Sequence, residues 1–477
     1  MSTQALAKNS VLQIASKVFG MAFGLVTFYL LLHFFGTEGY GYFTIAITHV
    51  TIFAILVDFG LTLTTTQMIS EPGADEKAIL GNLLSLRLVS AASFMALAPL
   101  TALFIPQSAP VMDLIIIASF TYFFGSVAAT FVGVFQKRLK IGYAVFAEMS
   151  NRLGSMIGVI VAGVLHLGLE GAALAFLIGN LLQMILMLAA THNLVKLKPQ
   201  WDLRVWKNIL LKSWPIGLSI FFNLLYLRGD VFFLWIFNRT AYEIGQYGSA
   251  YKVVDVITII PITLMGLMLP ILTAAWAEKD LALYRRRFQE SFDALMAIAI
   301  PFACGAMILG VPLMTALKPD LVESGRYLLI LGPTAAVAFI GSLYGHAVVA
   351  INKQKALVWG YVAVAVVAIL GYALYIPTHG AWAAAGTSLV SEALIALITG
   401  YVVMRTTSVA PNGKLLLKIV LASGAMSAAI AIVPLPHVVL SVIFGVIVYI
   451  GALAALGGPR PRDLIKLFRA EEAPLTP

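Results

Sequence analysis

From Asn9 almost to the C-terminus the chain is a succession of apolar runs, most of them 20 residues or longer, separated by short stretches that hold most of its charge. A run of about 20 apolar residues, coiled as a helix, matches the hydrocarbon core of a bilayer. Of the 477 residues 60% are apolar and 11% charged, whereas a soluble domain carries about 25% charged residues. Too few polar side chains exist to cover a large water-facing domain, so the bilayer is the solvent. The runs do not alternate apolar and polar residues as barrel strands would. The expected fold class is an all-α integral membrane protein. The single cysteine, Cys304, has no partner and excludes a disulfide framework and a cysteine-based zinc site.

The runs divide into fourteen expected spans: 10–35, 41–68, 78–104, 110–135, 142–166, 169–192, 213–237, 242–275, 289–316, 327–351, 355–377, 381–404, 414–433 and 437–457. The first is too long for a signal-peptide core and lacks a cleavage pattern. Cytoplasmic loops collect Lys and Arg, which tests the count. With the N-terminus inside, the inner stretches gather most of the 31 basic residues, among them Lys137, Arg138, Lys140, Lys198, Arg204, Lys207, Lys212, Arg285, Arg286, Arg287, Lys353, Lys355, Lys414 and Lys418. The outer loops keep only Arg239, Lys318 and Arg326. Both termini are therefore expected in the cytoplasm. The basic excess is a topology signal, and it does not point to nucleic acid as a partner.

Three short matches recur in order and at nearly the same spacing. Gly125-Ser126 returns as Gly341-Ser342. Gly168-Leu169-Glu170-Gly171-Ala172-Ala173 returns as Gly380-Ala381-Trp382-Ala383-Ala384-Ala385, and Glu38-Gly39-Tyr40-Gly41-Tyr42 as Glu243-Ile244-Gly245-Gln246-Tyr247. The implied unit is six helices, and an even number keeps both copies in the same orientation. The expected organisation is an N-terminal lobe over 1–195, an amphipathic cytoplasmic linker over 196–212, a C-terminal lobe over 213–405, two further helices over 414–457 and a cytoplasmic tail over 458–477. Trp201, Leu203, Trp206, Ile209 and Leu210, interleaved with basic residues, suit the linker to a helix at the headgroup level. The stretch Asp463–Arg469 has a similar pattern.

Asn9-Ser10 leading into a glycine-containing helix, then Phe35-Gly36 and Gly39-Tyr40-Gly41-Tyr42, resembles the opening of bacterial polysaccharide (Wzx-type) flippases of the multidrug/oligosaccharidyl-lipid/polysaccharide (MOP) exporter superfamily. Arg228-Gly229-Asp230, then Glu243-Ile244-Gly245-Gln246-Tyr247 and Ala250-Tyr251-Lys252, is similar to that family's pattern around the seventh and eighth spans. The resemblance covers most of the first twelve helices. It implies two six-helix lobes around a central cavity, alternating access, and a polyprenyl-diphosphate-linked oligosaccharide as cargo in exopolysaccharide, O-antigen or capsule synthesis at the bacterial inner membrane. Membrane lipids, a polysaccharide polymerase and glycosyltransferases are the partners it implies.

A charge at the centre of a span costs about 2.5–3.5 kcal/mol on insertion scales, so each one there needs a wet cavity or a partner. Glu148 and Arg152 are spaced i,i+4 with the acid first, the order that favours an intrahelical pair; Lys252 and Asp255, at i,i+3, also share a face. Arg228 and Asp230 point to different sides. Arg87 lies about 14 Å into the third span at 1.5 Å per residue, with no acid three or four positions away. Arg152 lies at a similar depth, and two guanidiniums at one level suit a diphosphate. Arg87 is expected to face a central cavity, its alternatives being a snorkel toward the interface or a pairing with Asp58 or Asp293 across helices. The expected substrate-binding residues are Arg87, Arg152, Arg228, Lys17 and Lys252. Asp58, Glu148, Asp230, Asp255 and Glu392 are the candidates for gating or for coupling to a proton or sodium gradient or to the membrane potential. No catalytic group, metal site or cofactor is expected. Pro99, Pro215, Pro261, Pro270, Pro301 and Pro333 are expected to kink their helices, and Gly20-x-x-x-Gly24 and Gly154-x-x-x-Gly158 allow close helix contact. An ion-coupled drug exporter of the same fold is the alternative function. A polymerase or ligase would need a sizeable outer loop or a converging acid/base cluster. A fused ATPase would need a Gly-x-x-x-x-Gly-Lys-Ser/Thr loop, which Gly413-Lys414 does not complete.

Overall fold

In a computed structural model, residues 3–458 are described, apart from 72, 107, 108, 193, 196 and 197. The tail pattern at 463–469 lies outside the described residues. In chain order the helices are α1 (Thr3–Asp58), α2 (Leu61–Ser70), α3 (Glu76–Ala102), α4 (Ala109–Ala129), α5 (Val132–Lys137), α6 (Gly142–Val164), α7 (Gly168–His192), α8 (Leu203–Ile236), α9 (Ala241–Ala277), α10 (Leu281–Leu317), α11 (Val322–Ala350), α12 (Val358–Thr407), α13 (Lys414–Ile432) and α14 (Val438–Ala455). No strand occurs among the described residues. In lipid every backbone N–H and C=O must be satisfied inside its own segment, which leaves helices as the solution for such runs.

Against the expected fourteen spans, eleven helical stretches among the described residues are long and apolar enough to cross a membrane. A twelfth is Leu203–Leu218 with Ile220–Ile236, bent by 43°. Two of the eleven, Ser16–Ser70 and Gln354–Thr407, are 55 and 54 residues long. At about 1.5 Å per residue each far exceeds a hydrocarbon core of about 30 Å. Both contain a kink where two helices merge, at Gly36 (φ 76°) and at Gly380 (φ 55°), a backbone region open to glycine at little steric cost. Most of the expected prolines do not break their helices: α3, α9, α10 and α11 run on through them. The bend in α8 follows Pro215 by a few residues.

The internal repeat recurs in the backbone. Asp75 caps α3 by accepting from the Ala78 amide, and Asp280 caps α10 by accepting from the Leu283 amide. The Lys140 amide reaches the Phe135 carbonyl past left-handed Leu139, as the Lys353 amide reaches the Val348 carbonyl past left-handed Asn352. Left-handed Gly168 and Gly380 follow in the same order. The two later pairs are spaced more widely than the helix caps because α10 has 37 residues where α3 has 27.

The chain forms two compact units, Met1–Gly245 and Gln246–Pro477. The first includes α8, which the sequence repeat would assign to the second lobe. The physical reason is the linker. Trp206 and Ile209, on the first turns of α8, pack against Leu61, Met68, Leu83 and Leu86 of α2 and α3. Polar contacts staple the same segment to α3: the Gln200 amide donates to the Gly81 carbonyl, the Asp202 amide to Asn82 Oδ1 at 2.8 Å, Ser85 Oγ to the Gln200 carbonyl, and Trp206 Nε1 to Ser85 Oγ at 3.2 Å. Trp201 and Leu203 remain exposed, as a headgroup-level segment requires. In the second unit the core runs through Met265, Leu272, Phe288, Leu295, Phe339 and Tyr344.

Within the first unit, α1 beyond its kink crosses the first turn of α9. A Cβ added at Gly41 would overlap the Ala241 carbonyl, and one added at Gly245 would overlap the Thr37 carbonyl. Thr37-x-x-x-Gly41 and Ala241-x-x-x-Gly245 thus meet as small-residue faces that let two backbones touch. Gly24 and Gly154 have open space, whereas Gly20 and Gly158 sit against Arg152 and Ala175. Gly245→Val is accordingly expected to lower the thermal unfolding midpoint and the yield of folded protein, with Gly24→Ala unchanged; equal midpoints for the two variants would refute the close crossing.

Candidate functional site

The first unit carries its interior charges in two settings. Arg87 is buried on every side, with its side chain only 1% exposed, and α3 is buried continuously from Leu80 to Arg87. Its Nη2 donates to Asp58 Oδ1 at 2.6 Å and to Thr62 Oγ1 at 2.9 Å, and its Nη1 to the Ser126 carbonyl at 3.0 Å. Asp58 is the last residue of α1 and Thr62 lies on α2, on the two sides of a break at Phe59 and Gly60, both left-handed. One guanidinium therefore ties together both ends of a broken helix and the C-terminal part of α4. The expectation that Arg87 faces a cavity is corrected: the partner is Asp58, and no open surface is left for a diphosphate. Its depth is what demands this, because an unpaired buried cation is far costlier than a paired one. Nothing in the local sequence around Arg87 points to Thr62 or the Ser126 carbonyl, although Thr62 stands one turn beyond Asp58 and donates to it.

Arg152 is in the other setting. It forms the expected pair with Glu148, Nη2 to Oε1 at 2.8 Å, and the two side chains are 40% and 42% exposed. Its Nη1 also donates to the Gly20 carbonyl on α1 at 3.2 Å, and the guanidinium lies over Gly20, where an added Cβ would come within 2.8 Å of Nε and make the guanidinium shift. Lys17, exposed, is one turn before Gly20 on α1. Lys17 is thus one helical turn from the carbonyl that Arg152 reaches, while Arg87 is held by its own clamp. Arg228 is exposed on α8 and within electrostatic reach of Tyr122, whose hydroxyl shares a 2.7 Å hydrogen bond with Thr51. Asp230 is buried, with Oδ1 accepting from the Val231 amide at 2.8 Å. Arg228 is thus exposed where Asp230, two residues on, is buried.

In the second unit Lys252 and Asp255 lie half-buried on α9, and Asp293 accepts from Gln289 at 2.8 Å. Glu392 is buried on α12. Among the described residues no group of three or more His, Cys, Asp or Glu is arranged to hold a metal ion.

Residues 6–276, more than half of the chain, match the polysaccharide biosynthesis protein family. The chain belongs to that family. No curated protein matches this polysaccharide biosynthesis protein in sequence. Among solved structures it is similar to the lipid II flippase MurJ in an inward closed conformation, with a TM-score of 0.78 and 15% identity over 95% of this chain and 99% of that one. It is also similar to an inward-facing multidrug resistance MATE family transporter of the MOP superfamily, with a TM-score of 0.66 and 13% identity over 84% and 98%. A MOP superfamily transporter from Pyrococcus furiosus follows at 0.58 and 13%, over 85% and 95%. At these identities the likeness is one of fold. Family and fold agree with the resemblance read from the sequence: this is a multi-pass membrane protein of the polysaccharide biosynthesis family, with a fold like that of the MurJ and MATE structures.

In this polysaccharide biosynthesis protein the clamp is testable by stability. Asp58→Ala leaves a buried guanidinium without its counter-charge and is expected to lose about 3–5 kcal/mol. Arg87→Met leaves a carboxylate whose side chain is 40% exposed, so the loss is smaller, and Asp58→Ala combined with Arg87→Met regains part of it. Chemical unfolding of the purified variants gives the comparison, and additive losses in the double variant would contradict the pairing.

Proposed function

We infer that the protein is a flippase that moves polyprenyl-diphosphate-linked oligosaccharide repeat units across the bacterial cytoplasmic membrane by alternating access, for assembly of an exopolysaccharide, O-antigen or capsule. The observation that carries this reading is the polysaccharide biosynthesis family match on a chain whose fold is that of a lipid II flippase over 95% of its length. The likeness to a multidrug transporter extends over less of the chain at a lower TM-score, which favours the flippase over the drug-type exporter. Related families are transporters, which favours a carrier over a polymerase or ligase. A cargo delivered by glycosyltransferases and consumed by a polymerase fits the same reading. Lysine- and arginine-rich connections favour both termini in the cytoplasm.

The cargo's diphosphate needs cations that water and lipid headgroups reach. Arg152 and Lys17 meet that need, and Arg228 is a further exposed cation. Glu148 holds the Arg152 guanidinium at Nε and Nη2, so its planar fork is oriented before cargo arrives. The Gly20 carbonyl fixes the third side. Translocation against a gradient requires an energy source, for which a proton or sodium gradient or the membrane potential is proposed.

Charge-assisted hydrogen bonds contribute about 1.5–3 kcal/mol each, equivalent to a tenfold to hundredfold effect on affinity at about 1.4 kcal/mol per decade. Lys17→Ala and Arg152→Ala are each expected to reduce export by about that factor, and the double variant by more, at an unchanged protein level, with lipid-linked oligosaccharide accumulating on the cytoplasmic face. Extraction and quantification of the lipid-linked intermediate in the complemented deletion strain checks this. Wild-type export by the double variant would remove these residues from the site.

A further inference from the structure

The two repeats place corresponding glycine contacts on equivalent helix positions but fill one of them with different chemistry. In the first, Gly158 of α6 packs on Ala175 of α7, and Gly125 of α4 packs on Asn180 of α7. In the second, Gly371 in the first half of α12 packs on Thr387 in its second half, and Gly341 of α11 packs on Glu392. The shift along the chain that carries left-handed Gly168 onto left-handed Gly380 also carries Ala175 onto Thr387 and Asn180 onto Glu392. A Cβ added at Gly125 would lie 3.0 Å from Asn180 Oδ1, and one added at Gly341 would lie 3.7 Å from Glu392 Oε2. One position of the repeat is thus a neutral amide in one copy and a carboxyl group in the other.

Their surroundings differ as well. Asn180 is half-buried and donates through Nδ2 to the Phe176 carbonyl at 3.0 Å. Glu392 is 8% exposed, and no hydrogen bond or ion pair reaches its carboxylate among the described residues. Neighbouring hydroxyls on α12 are already committed: Ser391 Oγ donates to the Thr387 carbonyl and Thr399 Oγ1 to the Ile395 carbonyl. Across the contact on α11, Ser342 Oγ is buried without a partner and His346 Nδ1 is taken by the Ser342 carbonyl. Tyr361, on the first half of α12, is a titratable group within electrostatic reach of Glu392. No cation faces it among these neighbours.

An ionised carboxylate that is 8% exposed, beside a glycine and hydroxyls already committed elsewhere, is a buried charge with no compensation. A resident hard metal cation would require about six oxygens, and the described residues supply no cluster of acids to provide them. We propose that Glu392, seated against Gly341, is a proton-binding site of the second repeat, through which a proton gradient drives the carrier. The proposal rests on the flippase reading for what is driven, and on the Gly341–Glu392 contact for where the proton sits. Loading adds a proton from water to one carboxylate oxygen and removes the uncompensated charge; release returns the proton to water when the site is wetted. No bond other than O–H forms or breaks, and nothing is oxidised or reduced. Asn180, the counterpart in the first repeat, cannot take part in such a cycle, which confines this site to one lobe.

Two experiments test the site separately from the cargo. In the first, the wild-type protein in vesicles of phosphatidylethanolamine and phosphatidylglycerol is treated with dicyclohexylcarbodiimide, an apolar reagent for protonated carboxyls, over a range of pH, and labelled peptides are mapped by mass spectrometry. Glu392 is expected to label at neutral pH and to lose labelling as the medium becomes alkaline. No labelling at any pH, or labelling independent of pH, overturns the proposal without recourse to a variant. In the second, translocation of a fluorescent undecaprenyl-diphosphate glycolipid is followed in the same vesicles with an imposed pH difference. For one proton per cycle a difference of about one pH unit shifts the steady-state distribution about tenfold. The wild type is expected to show that shift and Glu392→Gln to show about none. A tenfold shift retained in Glu392→Gln, or a wild-type shift that follows a sodium gradient instead, overturns the proton assignment. Wild-type vesicles that move no glycolipid at all would count against the flippase reading, and the carbodiimide result would then decide the site alone.

Discussion

A helix inside a bilayer can be interrupted only where something other than water completes its backbone and charge, and the break between α1 and α2 shows what that requires. Phe59 and Gly60 leave helical geometry in the middle of an apolar stretch. Arg87 is the group that makes the interruption tenable, because its fork reaches an acid before the break, a hydroxyl after it and a carbonyl of a third helix. Among the described residues its Nε has no hydrogen-bond partner, so the clamp is met on two of its three nitrogens. The surrounding stretch Leu80–Arg87 is buried throughout. The order of this region therefore depends on one ion pair in which the arginine, and not the aspartate, is withdrawn from solvent.

The repeat is a backbone plan more than a chemical one. Helix caps, left-handed turns and glycine contacts recur, while the buried charges at Arg87 and Glu392 do not. The shift that carries Asp75 onto Asp280 carries Arg87 onto Phe292, which is buried in the apolar core of the second unit. The reverse exchange occurs at Asn180 and Glu392. Each copy has kept the packing that makes the unit fold and has placed ionisable groups where the other has none.

Much of this was legible from the residues in order. Apolar runs are a local property, so helix positions could be read directly, and the pairing of Glu148 with Arg152 followed from a spacing of four on a single helix. The partner of Arg87 was not, since Asp58 lies 29 residues away and the pairing depends on which helices become neighbours. Asp58 stood among the alternatives, but Thr62 and a backbone carbonyl leave no compositional trace. The uneven spacing of the repeat had a simple cause, the greater length of α10 than of α3, that only the helix boundaries reveal. The polar staple on Asn82 and Ser85 was invisible for the same reason as the clamp: nothing in either segment announces the other.

That staple has a consequence for how the chain can be divided. Gln200, Asp202 and Trp206 belong to the connection between the repeats, yet they complete the polar surface of α3, and Trp206 with Ile209 covers the apolar face that α2 and α3 share. A first repeat severed ahead of this connection would keep all of its membrane helices and still be left with Asn82, Ser85 and a strip of leucines uncovered. The unit that was duplicated is therefore shorter than the unit that folds, and independent expression of the two halves demands that the cut fall beyond α8.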